Sequence, residues 1–345
     1  MLNGITLGLL ASMAAVFFSP VAREVKEERR PASLGLLGDP ADVKTPVKGG
    51  VALIGGGDQV DAIFKWLIAR SGGGDVVVIR ATNYDVYNAY IDSLGGINSV
   101  ETLNINSREL ADNDTVANTI RNAEMLFIAG GDQSNYMRYW RGTKTAAAIN
   151  YLLKVKKAPV GGTSAGCAIL GSLYYSGEDG SAVSDEALAN PFYPLVKVYN
   201  NDFLQAPYLQ GVITDQHYLA RKREGRHVAF MSRIVHDWGL YPKGIAVDER
   251  TAVCIDDQGI GTVIGLSKAY FIASSRGAGP EKCTPGQPLT WDRQQGALQV
   301  YEIAGSEQGN GRFPVKGFDM RRAQGGQSYH WWVIDGVLHQ QPLNR

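Results

Sequence analysis

Gly162-Thr163-Ser164-Ala165-Gly166 is the stretch whose residue types and spacing point most directly to chemistry. It follows the apolar Ala158-Pro159-Val160-Gly161 and fits Gly-x-Ser-x-Gly, a strand-to-helix turn that pushes one serine out into a cleft. Glycines flank the serine because a bulky neighbour would clash with so tight a turn. A serine hydroxyl is a weak nucleophile; it needs a base, and the base needs an acid to orient it. The N–H of Ala165, at the start of the following helix, is the natural first donor to a developing oxyanion, assisted by the positive end of the helix dipole. Cys167 reads as a small apolar packing residue, with a reactive thiol as the competing reading.

The base must come from five histidines: His217, His227, His236, His330 and His339. His217 stands apart. It lies in Thr214-Asp215-Gln216-His217-Tyr218-Leu219-Ala220-Arg221-Lys222-Arg223-Glu224-Gly225-Arg226, dense in specific donors and acceptors. His227 and His236 fall on an amphipathic helical pattern with Val228, Met231, Val235 and Trp238 on one face, and read as structural. The spacing of the three arginines cannot place them all on one helical face, so a loop leading into a helix start is expected. Two strand ends repeat one another, as Gly55-Gly56-Gly57-Asp58-Gln59 and Gly130-Gly131-Asp132-Gln133. The dinucleotide fingerprint fails at the first, where Val60 stands at the third glycine position, and that copy reads as a plain strand-end turn. At the second, the N–H of Gly131 or Asp132 is the candidate second oxyanion donor.

Taken together, the serine turn, Gly130-Gly131-Asp132-Gln133, and Asp215-Gln216-His217 with Arg221, Arg223 and Arg226 resemble the cyanophycinases, serine exopeptidases of a family that also holds aspartyl dipeptidases. The likeness covers roughly residues 48–256. It implies an α/β fold of the flavodoxin-like, class I glutamine amidotransferase-like type: a mostly parallel sheet with helices on both faces. It implies a triad of Ser164, His217 and Glu249, the last in Val247-Asp248-Glu249-Arg250. It further implies that Gln133, Asp215, Gln216, Arg221, Arg223 and Arg226 hold a peptide rich in Asp and Arg. The implied substrate is cyanophycin, a poly-aspartate backbone with arginine on each side chain, released as β-Asp-Arg. The order Ser, His, Glu differs from the Ser, Asp, His order of α/β-hydrolases.

The elements that must position these residues follow from pattern. Val51-Ala52-Leu53-Ile54, Asp75–Ile79, Val100–Ile105 and Met125–Ala129 read as buried strands; Asp61–Arg70, Tyr84–Leu94 and Asn118–Ala123 read as helices between them. Such alternation gives a parallel sheet, with ligands at the carboxyl ends of its strands. The serine turn is expected to open a helix from Ala165 to Tyr175, and residues 176–203 to form a long irregular wall of the site. Lys243–Val247 is a further strand, and residues 49–260 make the catalytic domain. Residues 261–345 form a strand-rich extension packed on it, in which Trp331-Trp332 read as packing residues.

Ahead of the domain, residues 1–22 hold an apolar run from Ile5 to Phe18 and read as a secretory signal, with an uncleaved membrane anchor as the competing reading. Residues 23–48, charged and Pro-rich, read as a linker or tail. Export would make the protein secreted or periplasmic, without stable membrane association after cleavage. The formal net charge is zero, so no basic surplus points to nucleic acid. Three cysteines are too few for a disulfide scaffold; Cys254 and Cys283 are left open as a pair. No Cys/His pair has zinc-ligand spacing, so neither metal nor other cofactor is expected. A homodimer remains open. The export signal and the long C-terminal extension depart from the basic intracellular enzyme pattern. They keep two alternatives in view: an exported aspartyl or isoaspartyl dipeptidase, and a non-catalytic binding protein on the same fold.

Overall fold

Four short runs rich in Val, Ile and Leu form the centre of the molecule. In the structure, a computed structural model that describes residues 30–82, 84–274 and 278–343, they become parallel strands separated by helices. The chain opens with β1 (Ser33–Gly38), followed by β2 (Gly50–Ile54), α1 (Asp61–Ser71), β3 (Asp75–Arg80), α2 (Asn88–Ser93) and β4 (Ser99–Asn104). Next come α3 (Arg108–Ala111), α4 (Asp114–Asn122), β5 (Met125–Ile128), α5 (Gln133–Trp140), α6 (Lys144–Tyr151), β6 (Pro159–Thr163) and α7 (Ala165–Ala168). Strands β4, β3, β5, β6 and β2 pair in parallel, in that order. Alternation divides them between two cores. Val76 and Val78 pack with Ile63, Phe64 and Leu67 of α1, while Val77 and Ile79 face the side that carries Trp140 and Ile149 of α5 and α6.

The rest of the chain adds β7 (Leu173–Tyr175), α8 (Ser184–Ala189), β8 (Val198–Asn200), β9 (Val212–Gln216), α9 (Glu224–Trp238), β10 (Lys243–Val247), β11 (Thr251–Asp256), β12 (Ile260–Gly265) and β13 (Lys268–Ser274). It ends with β14 (Leu298–Ala304), β15 (Asn310–Pro314), β16 (Gln327–Ile334) and β17 (Val337–Pro342). Here the expectation of one mostly parallel sheet needs correction. The described residues form two mixed sheets. In the nine-stranded one, the parallel block is flanked by antiparallel β1 on one side and by β11, β12 and β15 on the other. The eight-stranded one runs β17-β16-β14-β13-β10-β9-β7-β8, with parallel pairs only where β9 meets β10 and β7. The sheets share a core: Val253, Ile255 and Val263 of the first join Ile245, Val247, Phe271 and Tyr301 of the second. The outer face of the second is covered by α9 through Val228, Phe230, Met231 and Ile234, and Trp331 is buried there.

Other expectations shift with it. Residues 30–48 are not all tail, because β1 pairs antiparallel with β4 at the sheet edge. The helix after Ser164 stops at Ala168, and Leu173–Tyr175 is a strand. Residues 176–203 carry α8 and β8. The signal expected at 1–22, and residues 23–29 of the tail, lie outside the described residues. Among the described residues no helix is long and apolar enough to cross a membrane. Cys167, Cys254 and Cys283 are all free thiols.

Candidate active site

The strand β6 ends at Thr163, and the chain turns sharply through Ser164 at φ 52° and ψ −116°. That conformation is strained for a residue with a side chain and persists only where its surroundings enforce it. They do so through close packing. A Cβ on Gly162 would stand 2.5 Å from the carbonyl oxygen of Gly166, and one on Gly166 would stand 2.2 Å from that of Ile128. Only glycine at both positions lets α7 press onto the strand ends, which leaves the Ser164 hydroxyl in the cleft.

The serine Oγ lies 2.7 Å from Nε2 of His217. On the other side of the ring, Nδ1 lies 2.7 Å from Oε1 of Glu249. His217 follows β9 and Glu249 follows β10, neighbouring parallel strands of the second sheet, whereas Ser164 follows β6 of the first. The site therefore bridges the carboxyl ends of both sheets. The geometry is that of a hydroxyl, an imidazole able to take its proton, and a carboxylate able to fix the ring tautomer.

The first glycine run, read from sequence as a plain turn, has a larger part. The His217 N–H donates to the Gly55 carbonyl at 2.7 Å, and that of Arg250 to the Gly56 carbonyl at 2.8 Å. Gly56 has φ 99°, and a Cβ on it would sit 2.2 Å from Cε1 of the His217 ring. The loop is the seat of the imidazole. Gly56→Ala is expected to lower kcat by about a hundredfold through displacement of the ring. Circular dichroism should remain native; an unchanged kcat would show that the ring does not rest there.

Burial of the His217 ring outweighs the raising effect of its hydrogen bond to Glu249, and Arg221 and Arg223 push in the same direction as burial. Its pKa is thus depressed below the ordinary 6.5. A base must be unprotonated, so activity should be full at neutral pH and fall only as pH drops through that lowered value. The acid limb of kcat/KM is expected to have its midpoint below 6.5, and Arg221→Gln should move it upward. A limb that stays in place in this variant would separate Arg221 from the base. Cys167, by contrast, is wholly buried, and burial pushes its thiol up to about 12. It stays protonated and packs as an apolar residue.

A cleft of about 260 Å³ opens beside the serine, lined by residues that include Gly131, Asp132, Gln133, Tyr175, Gln216, Arg221 and Arg223. Gly130 adjoins the serine: a Cβ there would lie 3.3 Å from that of Ser164. This sets the Gly130–Asp132 turn beside the nucleophile, which α7 follows directly in the chain. Asp132 caps α5 by accepting from Ser134 N–H at 2.9 Å. Gln133 opens that helix and reaches across the cleft to the bare backbone of Gly177. Gln216 is buried against the cleft, and its Oε1 has no partner. Arg221 is exposed; Arg223 is buried at the cleft wall and donates Nη1–H to the Gln216 carbonyl at 2.8 Å.

Asp215 stands differently from the sequence expectation, while Arg226 lines the cleft as expected but is already paired. Asp215 is 1% exposed and does not line the cleft. Arg226, also 1% exposed, grips it with Nε at 2.8 Å and Nη2 at 2.5 Å, while its Nη1 donates to Ser181 Oγ and to the Ala182 carbonyl. This neighbour holds the Asp215 carboxyl below the usual range despite full burial. The pair is satisfied internally. It anchors the 176–183 wall, with Tyr175 helping by accepting the Ala182 N–H at 2.9 Å and donating to the Gly180 carbonyl at 2.7 Å. Arg223 Nη1 also lies 3.7 Å from Asp215 Oδ1, and spacing in the sequence does not reveal which arginine of the cluster grips that carboxylate. Among the described residues no three His, Cys, Asp or Glu side chains are grouped to hold a metal ion.

A family model described as Peptidase family S51 matches residues 81–263. Among curated proteins, the cyanophycinase of Trichormus variabilis is 25% identical over 257 residues, 71% of this chain and 81% of its own. The cyanophycinase of Synechococcus elongatus is 28% identical over 236 residues, 65% of this chain and 68% of its own. Among solved structures, a peptidase from an acI-B1 Actinobacterium superimposes with a TM-score of 0.48 at 17% identity, covering 66% of this chain and 91% of that one.

Proposed function

The chain belongs to peptidase family S51 and is a serine-type peptidase, and from that premise we propose that it hydrolyses an aspartyl amide bond in an acidic peptide, with cyanophycin as the substrate. Ser164 attacks the carbonyl carbon while His217 takes its proton. The oxyanion rests on N–H groups of Ala165 and of Gly131 or Asp132. His217 then protonates the departing amine, and water repeats the sequence on the acyl-enzyme. Glu249 keeps the imidazole in the right tautomer and stabilises its charged form. The observation that carries this reading is the unbroken relay of two 2.7 Å contacts from Ser164 through His217 to Glu249. A binding protein that had lost catalysis would have no need to keep three side chains in that register.

The substrate assignment rests on charge. Arg221, Arg223 and Arg226 line the cleft against the buried Asp215, which Arg226 grips and Arg223 approaches at 3.7 Å, so a cationic surplus suited to substrate carboxylates remains. Gln133 and Gln216 supply neutral contacts. Curated relatives named cyanophycinase support the same choice. The small cleft, closed on one side by residues 177–181, favours a chain end over the middle of a polymer, and also keeps an aspartyl dipeptidase in view. The underlying fold fits the flavodoxin-like class through its five parallel central strands. Incubation of the purified protein with cyanophycin and with a panel of α- and β-aspartyl dipeptides, products identified by mass, tests the proposal. Release of β-Asp-Arg supports it; cleavage of dipeptides alone would support the dipeptidase.

Arg223 offers a sharper check on the ligand. Arg223→Ala is expected to lower kcat/KM by about 2–3 kcal/mol, for loss of a charged hydrogen bond. Arg223→Lys should recover only part, because an ammonium lacks the bidentate fork. Unchanged kinetics in both variants would assign Arg223 to the wall of the cleft alone.

A further inference from the structure

We propose that Asp248 is a positioning residue for the His217 base, acting through the backbone of the turn that carries it; the inference rests on the serine-hydrolysis reading above. His217 has φ 50°, in the left-handed region, and a side chain stays there only where its neighbours enforce it. The entry to the turn is held by the His217 N–H on the Gly55 carbonyl. At the exit, where Arg221 and Arg223 N–H groups return to the His217 and Tyr218 carbonyls, Asp248 supplies the side-chain hold. Its Oδ1 accepts the N–H of Leu219 at 2.9 Å and that of Ala220 at 3.0 Å. Its Oδ2 accepts the Ser267 hydroxyl at 2.6 Å, which fixes the carboxylate against β13. Asp248 is 7% exposed and is not among the residues lining the cleft, so it is placed to act on the turn and not on substrate.

Two adjacent carboxylates at the end of β10 thus divide one task. Glu249 orients the imidazole ring, and Asp248 ties down the main chain two and three residues beyond it. Each of the three groups bonded to Asp248 is neutral, so an acceptor is needed there more than a charge. Asparagine keeps Oδ1 for both N–H groups and can offer its amide to the Ser267 oxygen. Alanine strips the Leu219 and Ala220 N–H groups of their acceptor. It leaves the exit of the turn to backbone bonds alone, Arg221 N–H on the His217 carbonyl at 3.0 Å and Arg223 N–H on the Tyr218 carbonyl at 2.9 Å. A shift of about 1 Å in a reacting group can cost a hundredfold in rate.

Steady-state kinetics and the rate of inactivation by a fluorophosphonate, which reports nucleophilicity of the serine without a peptide substrate, test this in the full chain. Asp248→Ala is expected to lower kcat and the inactivation rate by about ten- to a hundredfold with KM changed less than about twofold. Asp248→Asn is expected to keep most of both. The proposal is overturned by an alanine variant as fast as wild type, by a loss that falls on KM alone, or by an asparagine variant as impaired as alanine. Should Asp248→Ala not fold, Ser267→Ala gives the same comparison: a several-fold fall in kcat at constant KM is expected, and unchanged kcat overturns the proposal. Wild-type protein that cleaves peptide yet is not labelled at Ser164 would instead defeat the serine reading itself, before any variant is compared.

Discussion

Ser164→Ala should lose at least about three orders of magnitude in turnover and stay folded. The residue is half-buried, and its hydroxyl has one partner, Nε2 of the His217 ring, which lines the cleft and so can be met by water once the hydroxyl is gone. The backbone of the turn is fixed by Gly162 and Gly166 and by the Ser164 N–H on the Ile54 carbonyl at 3.1 Å, none of which depends on the hydroxyl. Residual activity would come from the oxyanion donors and substrate binding alone. Cys167→Ala is the matched control, since the buried, protonated thiol faces the core and should leave turnover intact. Near-normal activity in the serine variant, or loss confined to the cysteine variant, would move the nucleophile elsewhere.

The second large effect is on stability. Asp215→Ala would leave the Arg226 guanidinium buried with Nε and Nη2 unpaired, and breaking a buried pair in this way costs about 3–5 kcal/mol. Urea denaturation should show that loss. Replacing both partners by apolar residues of similar volume should restore much of the stability, because the desolvation cost of both charges disappears together. The double variant should still be a poorer enzyme, since Arg226 also holds Ser181 and Ala182 at the cleft wall. If Asp215→Ala were as stable as wild type and altered only KM, the carboxylate would have to face substrate, as the family resemblance alone implied.

The parts of this architecture that are local in sequence were legible there. Val76 to Ile79 and Met125 to Ile128 are continuous apolar runs, and helix α1 carries its own stop at Gly72, φ 66°. The serine turn was legible because its Gly-x-Ser-x-Gly pattern is local, and Gly162 is demanded by the Gly166 carbonyl four residues on, although the contact that demands Gly166, the Ile128 carbonyl, is not local. What escaped was non-local. β11 enters the first sheet antiparallel beside β2, about 200 residues earlier in the chain, and nothing in Thr251–Asp256 names that neighbour. β1 is a short Leu/Gly run inside a charged, Pro-rich stretch, and only pairing with β4 makes it a strand. Gly56 looked like any strand-end glycine until its clash partner, the His217 ring, was folded against it from 161 positions away. Asp248 and Glu249 are neighbours of one chemical type, and the resemblance singled out only the second.

The most direct measurement of the central claim is the intact mass and peptide map of the protein after reaction with a fluorophosphonate. A relay from Glu249 through His217 predicts one adduct per chain, on the peptide containing Ser164, formed in step with loss of peptidase activity. It also predicts that His217→Ala slows the labelling by at least about a hundredfold. Stoichiometric loss of activity with the adduct on another residue, or full peptidase activity in protein that takes up no label, would contradict the account.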